Sequence, residues 1–357
     1  MNIKMIKIGK KIISLKHPTY FIADIAANHD GNLNRAKKLI KLAAKAGADA
    51  AKFQHFSAET IVSDKGFRSL GKKMSHQRNW GRSVYNVYKD ASINLKWTNE
   101  LKKACYKSGI HFFSSPYSIK MVDHLAHFVP AYKIGSGDIT WLQIIEHISK
   151  KQKPVIIATG ASDFDDVKKA IKSIKKYNKD IVLMQCNTNY TASIKNFKHI
   201  NINVLKTYKK KFKNIILGLS DHTLGHSTVL GAITLGARVI EKHFTDDNKR
   251  IGPDHKFSMN PKTWREMVNA TRELENALGD GIKKIEDNEK ETIVLQRRSI
   301  RVKSNIKKGQ KIKNENIIPL RPCPRDAYPL QKIHNIIGKR AKRDFLTGDY
   351  VRIKDFK

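Results

Sequence analysis

Eight short runs of apolar and β-branched residues, separated by segments with helical spacing, constrain this chain more than any other feature. The runs are "FIADIAA" from Phe21, "ADAAKFQ" from Ala48, "HFFSSP" from His111, "AYKIGSG" from Ala131, "PVIIATG" from Pro154, "IVLMQCN" from Ile181, "IILGLSD" from Ile215 and "ARVIEKHF" from Ala237. Near-continuous apolar runs of this length suit strands buried on both faces. Between them "LNRAKKLIKLAAKAGA", stopped by Gly47, "FDDVKKAIKSIKKY" and "HSTVLGAITLGA" space their apolar residues as helices do. Eight strand–helix units in about 280 residues predict a (β/α)₈ TIM barrel. The competing fold is an open doubly wound sheet. It would carry GxGxxG after the first strand, where this chain has "ANHDGN".

A barrel of this kind carries its chemistry where the strands end. The runs end in Asn28, His29 and Asp30; Lys52, Gln54 and His55; Ser114 and Ser115; Ser136 and Asp138; and Thr159. The last three end in Asn187, Asn189 and Tyr190; Ser220, Asp221 and His222; and Glu241 and His243. A purely structural ring has no need of so many polar groups at one end. His222 and His243 follow adjacent strands, and two neutral imidazoles suit a divalent transition metal with open positions for water and substrate. The segment 56–110, with "KKMSHQRNWGRSVYNVYKD", is longer than one helix requires. It reads equally as a cover for the site or as an extra surface helix.

Past residue 280 the texture changes. Residues 281–296 read as a charged connecting helix, and 297–357 as a small β-rich domain with turn glycines and prolines. Such a domain is marginal alone and is expected to pack on something. The 69 Lys and Arg against 32 Asp and Glu give a net charge of +37. The lysines are scattered, without a basic block interleaved with aromatics and without helix-turn-helix or zinc-finger spacing. A lysine-rich surface with a site for anionic substrates is therefore favoured over nucleic-acid or membrane binding. Cys105, Cys186 and Cys323 show no CxxC spacing, and the first residues show no signal peptide or membrane span. A reducing cytoplasm is the expected location.

The motifs "IADIAANHDGN", "GADAAKFQHF", "FFSSPYS", "YKIGSGD", "PVIIATG", "GLSDHTLG", "GARVIEKHFTDD" and "GPDHKFSMNP" resemble those of the sialic acid synthase family. The tail "RRSIRVKSNIKKGQKI…IIGKRAKRDFLTGD" resembles the antifreeze-like (SAF) domain of the same family. The resemblance spans nearly the whole chain. It implies condensation of phosphoenolpyruvate with an open-chain N-acetylhexosamine and water, giving a nonulosonic acid and phosphate by C–O cleavage. The implied sugar is N-acetylmannosamine or a related 2,4-diacetamido-trideoxyhexose. The implied metal is manganese, with magnesium or cobalt as alternatives, on His222 and His243.

The same resemblance places Lys52, Ser115, Lys133, Ser136 and Ser220 around phosphoenolpyruvate, with Thr188, Asn187 or Asn189 supplying a further contact. It places Gln54, Tyr190 and Arg321 on the sugar, and Asp24, Asp138 and Asp254 in catalytic positions. It also implies a domain-swapped homodimer in which the tail of one chain, through Arg321, caps the barrel of the other. The chain departs from the family pattern at Asp24 and Asp138, where many members have Glu. It departs again at "CNTNYT", against the commoner "CTxxYPT", and at "RPCPRD", against a form closer to "RPGxG". These departures bear on which sugar is used more than on the reaction. Two alternatives stand beside this reading: a related phosphoenolpyruvate aldol synthase using another aldose or a sugar phosphate, and an anionic-polymer-binding protein on an inactive barrel.

Overall fold

The computed structural model describes residues 4–74, 77, 78 and 80–356, with only the backbone of Phe356. Ser75, His76 and Asn79 of the long segment read above lie outside the described residues. The chain divides into two compact units, Met1–Gly279 and Asp280–Lys357.

The first unit opens with a hairpin of β1 (Ile6–Ile8) and β2 (Lys11–Ile13), which the sequence did not suggest. Eight parallel strands follow: β3 (Tyr20–Asp24), β4 (Ala50–His55), β5 (His111–Pro116), β6 (Tyr132–Ile134), β7 (Val155–Ala158), β8 (Ile181–Cys186), β9 (Ile216–Asp221) and β10 (Ala237–His243). Their order is β5-β4-β3-β10-β9-β8-β7-β6. β5 and β6 lie side by side without a ladder between them, so the barrel is nearly closed. All eight sequence-read strands are present.

Helices α1 (Leu33–Ala46), α5 (Trp97–Lys107), α6 (Ile119–Leu125), α7 (Leu142–Ser149), α8 (Phe164–Lys175), α9 (Val204–Lys211), α10 (Ser227–Thr234) and α11 (Pro261–Ala277) connect or follow the strands. Between β4 and α5 come three short extra helices, α2 (Ala58–Ile61), α3 (Asp64–Ser69) and α4 (Val84–Ala91). Asn32 caps α1, its side chain accepting from the Arg35 amide, and Gly47 closes it at φ 100°, a left-handed conformation that glycine adopts without a side-chain clash. Among the described residues no helix is long and apolar enough to cross a membrane.

Period-two alternation along each strand separates two cores. Phe21, Ala23, Phe53, Val155, Ile157, Leu183, Leu219 and Ile240 pack outward with Leu39, Ala43 and Trp264 of the helices. Tyr20, Ile22, Ala50, Phe113, Ala131, Ile156, Val182, Met184, Ile216 and Val239 form an inner cluster together with Ile6, Ile8 and Ile13 of the hairpin. Gly9 turns the hairpin at φ 57°, and a side chain there would collide with His111.

The second unit contains α12 (Lys290–Gln296), β11 (Ser299–Val302) and β12 (Ile317–Leu320) around Ile300, Val302, Ile306, Ile312, Ile336 and Phe345. The charged connecting helix is hydrogen-bonded to the rest of this unit. The Cys323 amide donates to the Val294 carbonyl at 2.8 Å, and Arg321 Nε donates to the Gln296 carbonyl at 2.6 Å.

Candidate active site

The inward rows that begin as apolar core end as charge. Two residues beyond Ile22 on the same face stands Asp24; beyond Ala50 stands Lys52; beyond Ala131, Lys133; beyond Val239, Glu241 and then His243. Strand register sets them side by side: Asp24 is level with Lys52 and with His243, and Ser220 with Glu241 and with Cys186. The outcome is a cavity of about 380 Å³ at the C-terminal end of the barrel.

Of the residues singled out in the sequence, Asp24, Lys52, Gln54, Lys133, Ser136, Asp138, Tyr190, Ser220, His222, His243 and Asp254 line it. Ser115, Asn187, Thr188 and Asn189 are not on its wall. Ser115 is buried with its hydroxyl oxygen unpartnered. Asn187 accepts at its carbonyl from His222 Nδ1, 2.8 Å away, so it fixes the histidine ring. Asn189 Oδ1 closes a local turn, accepting from the Thr191 hydroxyl at 2.6 Å and from Asn196 Nδ2 at 3.2 Å. Arg321 belongs to the second unit, where it is exposed.

The cavity floor is an ion-pair lattice. Lys52 Nζ is 2.7 Å from Asp24 Oδ2 and 3.8 Å from Glu241 Oε1, and Lys133 Nζ is 3.2 Å from Glu241 Oε1. All four side chains are at most 5% exposed. Burial alone raises the Glu241 carboxyl, but Lys133 and Lys52 outweigh it and bring it down to about 2. Burial raises Asp24, with Lys52 opposing. Burial lowers Lys52, and Asp24 and Glu241 more than reverse this. Both are held as partners in one charged network. Burying ions costs several kcal/mol each unless geometry and hydrogen bonds compensate. A site tolerates that cost where a charged ligand has to be met.

Two carboxyls are pushed toward neutrality instead. Burial raises Asp138 to about 6, with Lys133 opposing. Burial raises Asp254 to about 7, with Asp24 adding to the rise. Groups titrating near neutral pH can both hold and release a proton in use.

His222 and His243 meet at 5.3 Å between ring centroids. Burial, then each other's vicinity or that of Lys52, lowers them to about 4 and about 3, so both are neutral imidazoles. His222 donates from Nδ1, which leaves its Nε2 lone pair free to bind. His243 Nδ1 is buried without a hydrogen-bond partner. An orphaned buried nitrogen beside a second neutral imidazole fits a divalent metal of the zinc–manganese range. Among the described residues no group of three or more His, Cys, Asp and Glu is gathered for an ion. The protein would therefore supply two nitrogens, and water and substrate the remainder.

The cavity's outer wall is apolar. Ile61, Val87, Tyr88 and Ala91 come from the extra helices and, with Trp80 and Phe56, line the side facing the charges. The 56–110 segment thus covers the site. Tyr190 stacks edge-on against His222 at 4.4 Å, and Phe257 against His243 at 4.9 Å. Sequence reasoning assigned no role to Glu241, Tyr88, Tyr117 or Phe257. Glu241 was named there only among the polar groups at the strand ends; the aromatic wall needed the tertiary structure.

The chain is 39% identical over 97% of both lengths to an uncharacterized protein of Methanocaldococcus jannaschii. It is 34% identical to the N,N'-diacetyllegionaminic acid synthase of Campylobacter jejuni, over 94% of this chain and 99% of that one. The crystal structure of an N-acetylneuraminic acid synthetase from Leptospira borgpetersenii superposes with a TM-score of 0.70 at 28% identity, covering 82% of this chain and 96% of that one. Residues 297–357 match the SAF domain model, and residues 39–283 match the NeuB family model: the chain belongs to the NeuB family.

Proposed function

We propose that this protein condenses phosphoenolpyruvate with the open-chain aldehyde of an N-acetylated hexosamine and water, giving a nonulosonic acid and inorganic phosphate. The observation that carries this reading is the pair of buried lysines on one floor with two neutral histidines and two near-neutral carboxyls. That set matches a polyanionic enol phosphate meeting a carbonyl. Lys52 and Lys133, with Ser136 and Ser220, bind and orient the carboxylate and phosphate. C3 of the enol attacks the aldehyde carbon, and a C–C bond forms as the aldehyde oxygen takes up charge. Asp254 holds the proton that this oxygen needs. Water adds at C2, its proton passing to ionised Asp138, and phosphate departs with the bridging oxygen. A divalent metal bound by His222 and His243, manganese by preference, would supply Lewis-acid polarisation of the aldehyde. The apolar wall, with Gln54 and Tyr190, receives the sugar and excludes water. We also propose, on the family resemblance, that Arg321 reaches the sugar in a partner subunit of a homodimer.

The test is an aldose panel with phosphoenolpyruvate and manganese, scored by phosphate release and product mass. N-acetylmannosamine and 2,4-diacetamido-trideoxyhexoses should give nine-carbon acids. Oxygen-18 in the bridging position should appear in phosphate. Label retained in the keto acid, or no product with any N-acetylated aldose, would refute the proposal. His222→Ala should lose bound manganese as well as turnover. Co-expressed His222→Ala and Arg321→Ala chains should regain activity if the tail acts in a partner.

A further inference from the structure

The barrel has a second cavity that the proposed reaction does not use. It measures about 240 Å³ and lies where the strands begin: Ile216 and Leu217 of β9 and Arg238 of β10 form its floor. β9 rises about 3.3 Å per residue, so this floor stands roughly 15 Å from Ser220 and His222 at the other end. Phe212 and Ile215, after α9, and Leu15, after the hairpin, form apolar walls. Lys4, Lys209 and Lys213 surround the opening, and no acidic residue lines it.

Arg238 is the feature that a plain surface dimple would lack. It is only 9% exposed. Its Nη1 donates to the carbonyls of Ile233 at 3.2 Å and Ala237 at 2.7 Å. Among the described residues its Nε and Nη2 make no hydrogen bond. Burial lowers its pKa, and the acid that opposes this, Glu275, is already hydrogen-bonded by the Thr19 amide at 2.6 Å and by Arg272 Nη1 at 2.7 Å. Lys4 has its own partner, Asp180, at 2.7 Å. For Lys209 and Lys213 no ion pair is formed among the described residues. Arg238 Nε and Nη2 are not among the buried atoms left without a partner, so they open to the cavity, where a ligand anion would meet them.

We propose that this cavity is a second ligand site, distinct from the reaction cavity, for a small organic anion with an apolar body. The anionic group would meet Arg238 with Lys209 and Lys213, and the body would lie against Phe212, Ile215 and Leu15. The volume is below the roughly 300–1,000 Å³ of sites for drug-sized ligands, which limits the occupant to a small acid. Because Lys4 and Leu15 flank the hairpin, such a ligand would join the N-terminal segment to the barrel wall and stabilise the fold by mass action.

Calorimetric titration of the full-length chain with 4-phenylbutyrate tests this, with 4-phenylbutanol and inorganic phosphate as probes lacking the charge or the apolar body. The expected result is one phenylbutyrate per chain, unaffected by saturating phosphoenolpyruvate, with both control probes binding at least tenfold more weakly. Lys209→Glu and Lys213→Glu change only exposed side chains and should each weaken binding about tenfold. Arg238→Gln should weaken it further, provided its circular dichroism matches the wild type. The proposal is overturned by no binding, by equal binding of the alcohol, by displacement with phosphoenolpyruvate, or by lysine reversals without effect. Lys133→Met, at the other end, should leave this binding unchanged whatever happens to turnover.

Discussion

The same eight strands make two unlike ends. At their starts, Ile6, Ile8 and Ile13 of the hairpin pack with Tyr20, Ile22, Phe113 and Val239 into a dry plug. At their finishes, Asp24, Lys52, Lys133 and Glu241 are nearly as deeply buried but are ionisable groups paired with one another. Burial is similar while the energetics are opposite. Apolar area removed from water stabilises by about 25 cal/mol per Å². Buried ion pairs at best offset their own desolvation. The comparison teaches that one end of the barrel holds it together and the other is held in place by it. Substitutions at the two ends should therefore separate stability from turnover.

The largest effect should come from exchanging charge for bulk at the mouth. Lys133→Met with Glu241→Leu removes both members of a pair 3.2 Å apart and leaves no lone buried ion between them. Stability should be unchanged or higher by about 1–4 kcal/mol, while turnover falls about 10³-fold or more. Urea unfolding and phosphate release read the two quantities. A double variant that is destabilised yet turns over normally would break the contrast.

The converse belongs at the plug. Ile8 is fully buried, and Ile8→Ala should cost about 2–5 kcal/mol by leaving a cavity among rigid neighbours. At a temperature where the variant stays folded, kcat and both KM values should match the wild type. A lowered kcat at full folding would mean that the plug positions the mouth.

How far sequence alone reached follows the same division. The eight strands were legible because each is a continuous apolar run, and α1 because its apolar residues keep helical spacing up to Gly47. The hairpin was not, since two three-residue strands interrupted by lysines carry almost no periodic signal. Nor were α2, α3 and α4, which are too short to form from propensity and hold by packing. At the site, Lys133 came from the family resemblance, whereas Lys52, His222 and His243 were legible as groups at strand ends. After β8 that guide ends. Asn189 and Asn187 looked like ligand contacts, yet one closes a turn and the other orients His222. Hydrogen bonding within a loop without periodicity has no linear signature.

A smaller effect concerns pH at the mouth. Burial raises Asp138 to about 6, so the carboxylate proposed to take a proton is ionised above that value and protonated below it. Turnover should fall about tenfold per pH unit below 6. Asp138→Asn should lower the plateau and remove this acid limb. If the limb survives in the variant, another group titrates there.

The smallest effect reads the layer between the two ends. His55, the last residue of β4, is fully buried. Its Nδ1 lies 2.6 Å from Ser114 Oγ and its Nε2 2.9 Å from Thr98 Oγ1. The Thr98 hydroxyl donates to the Leu95 carbonyl at 2.9 Å, so its oxygen accepts from His55 Nε2, and Ser114 donates to Nδ1. The ring is therefore neutral, with both nitrogens satisfied. Burial, with His124 and His29 adding to it, lowers its pKa to about 3. In the unfolded chain the same ring takes a proton near pH 6.5. As pH falls below 6.5, the unfolded state gains a proton that the native state refuses until about pH 3, and stability drops across that window. Between pH 7 and 5.5 the loss from this one ring is about 1 kcal/mol. His55→Gln keeps a donor and an acceptor but cannot titrate. The variant starts less stable at pH 7, and its unfolding free energy should then fall by about 1 kcal/mol less than that of the wild type on acidification. Equal losses in the two proteins would show that His55 accepts a proton without unfolding, and that the layer beneath the mouth is wetter than its burial implies.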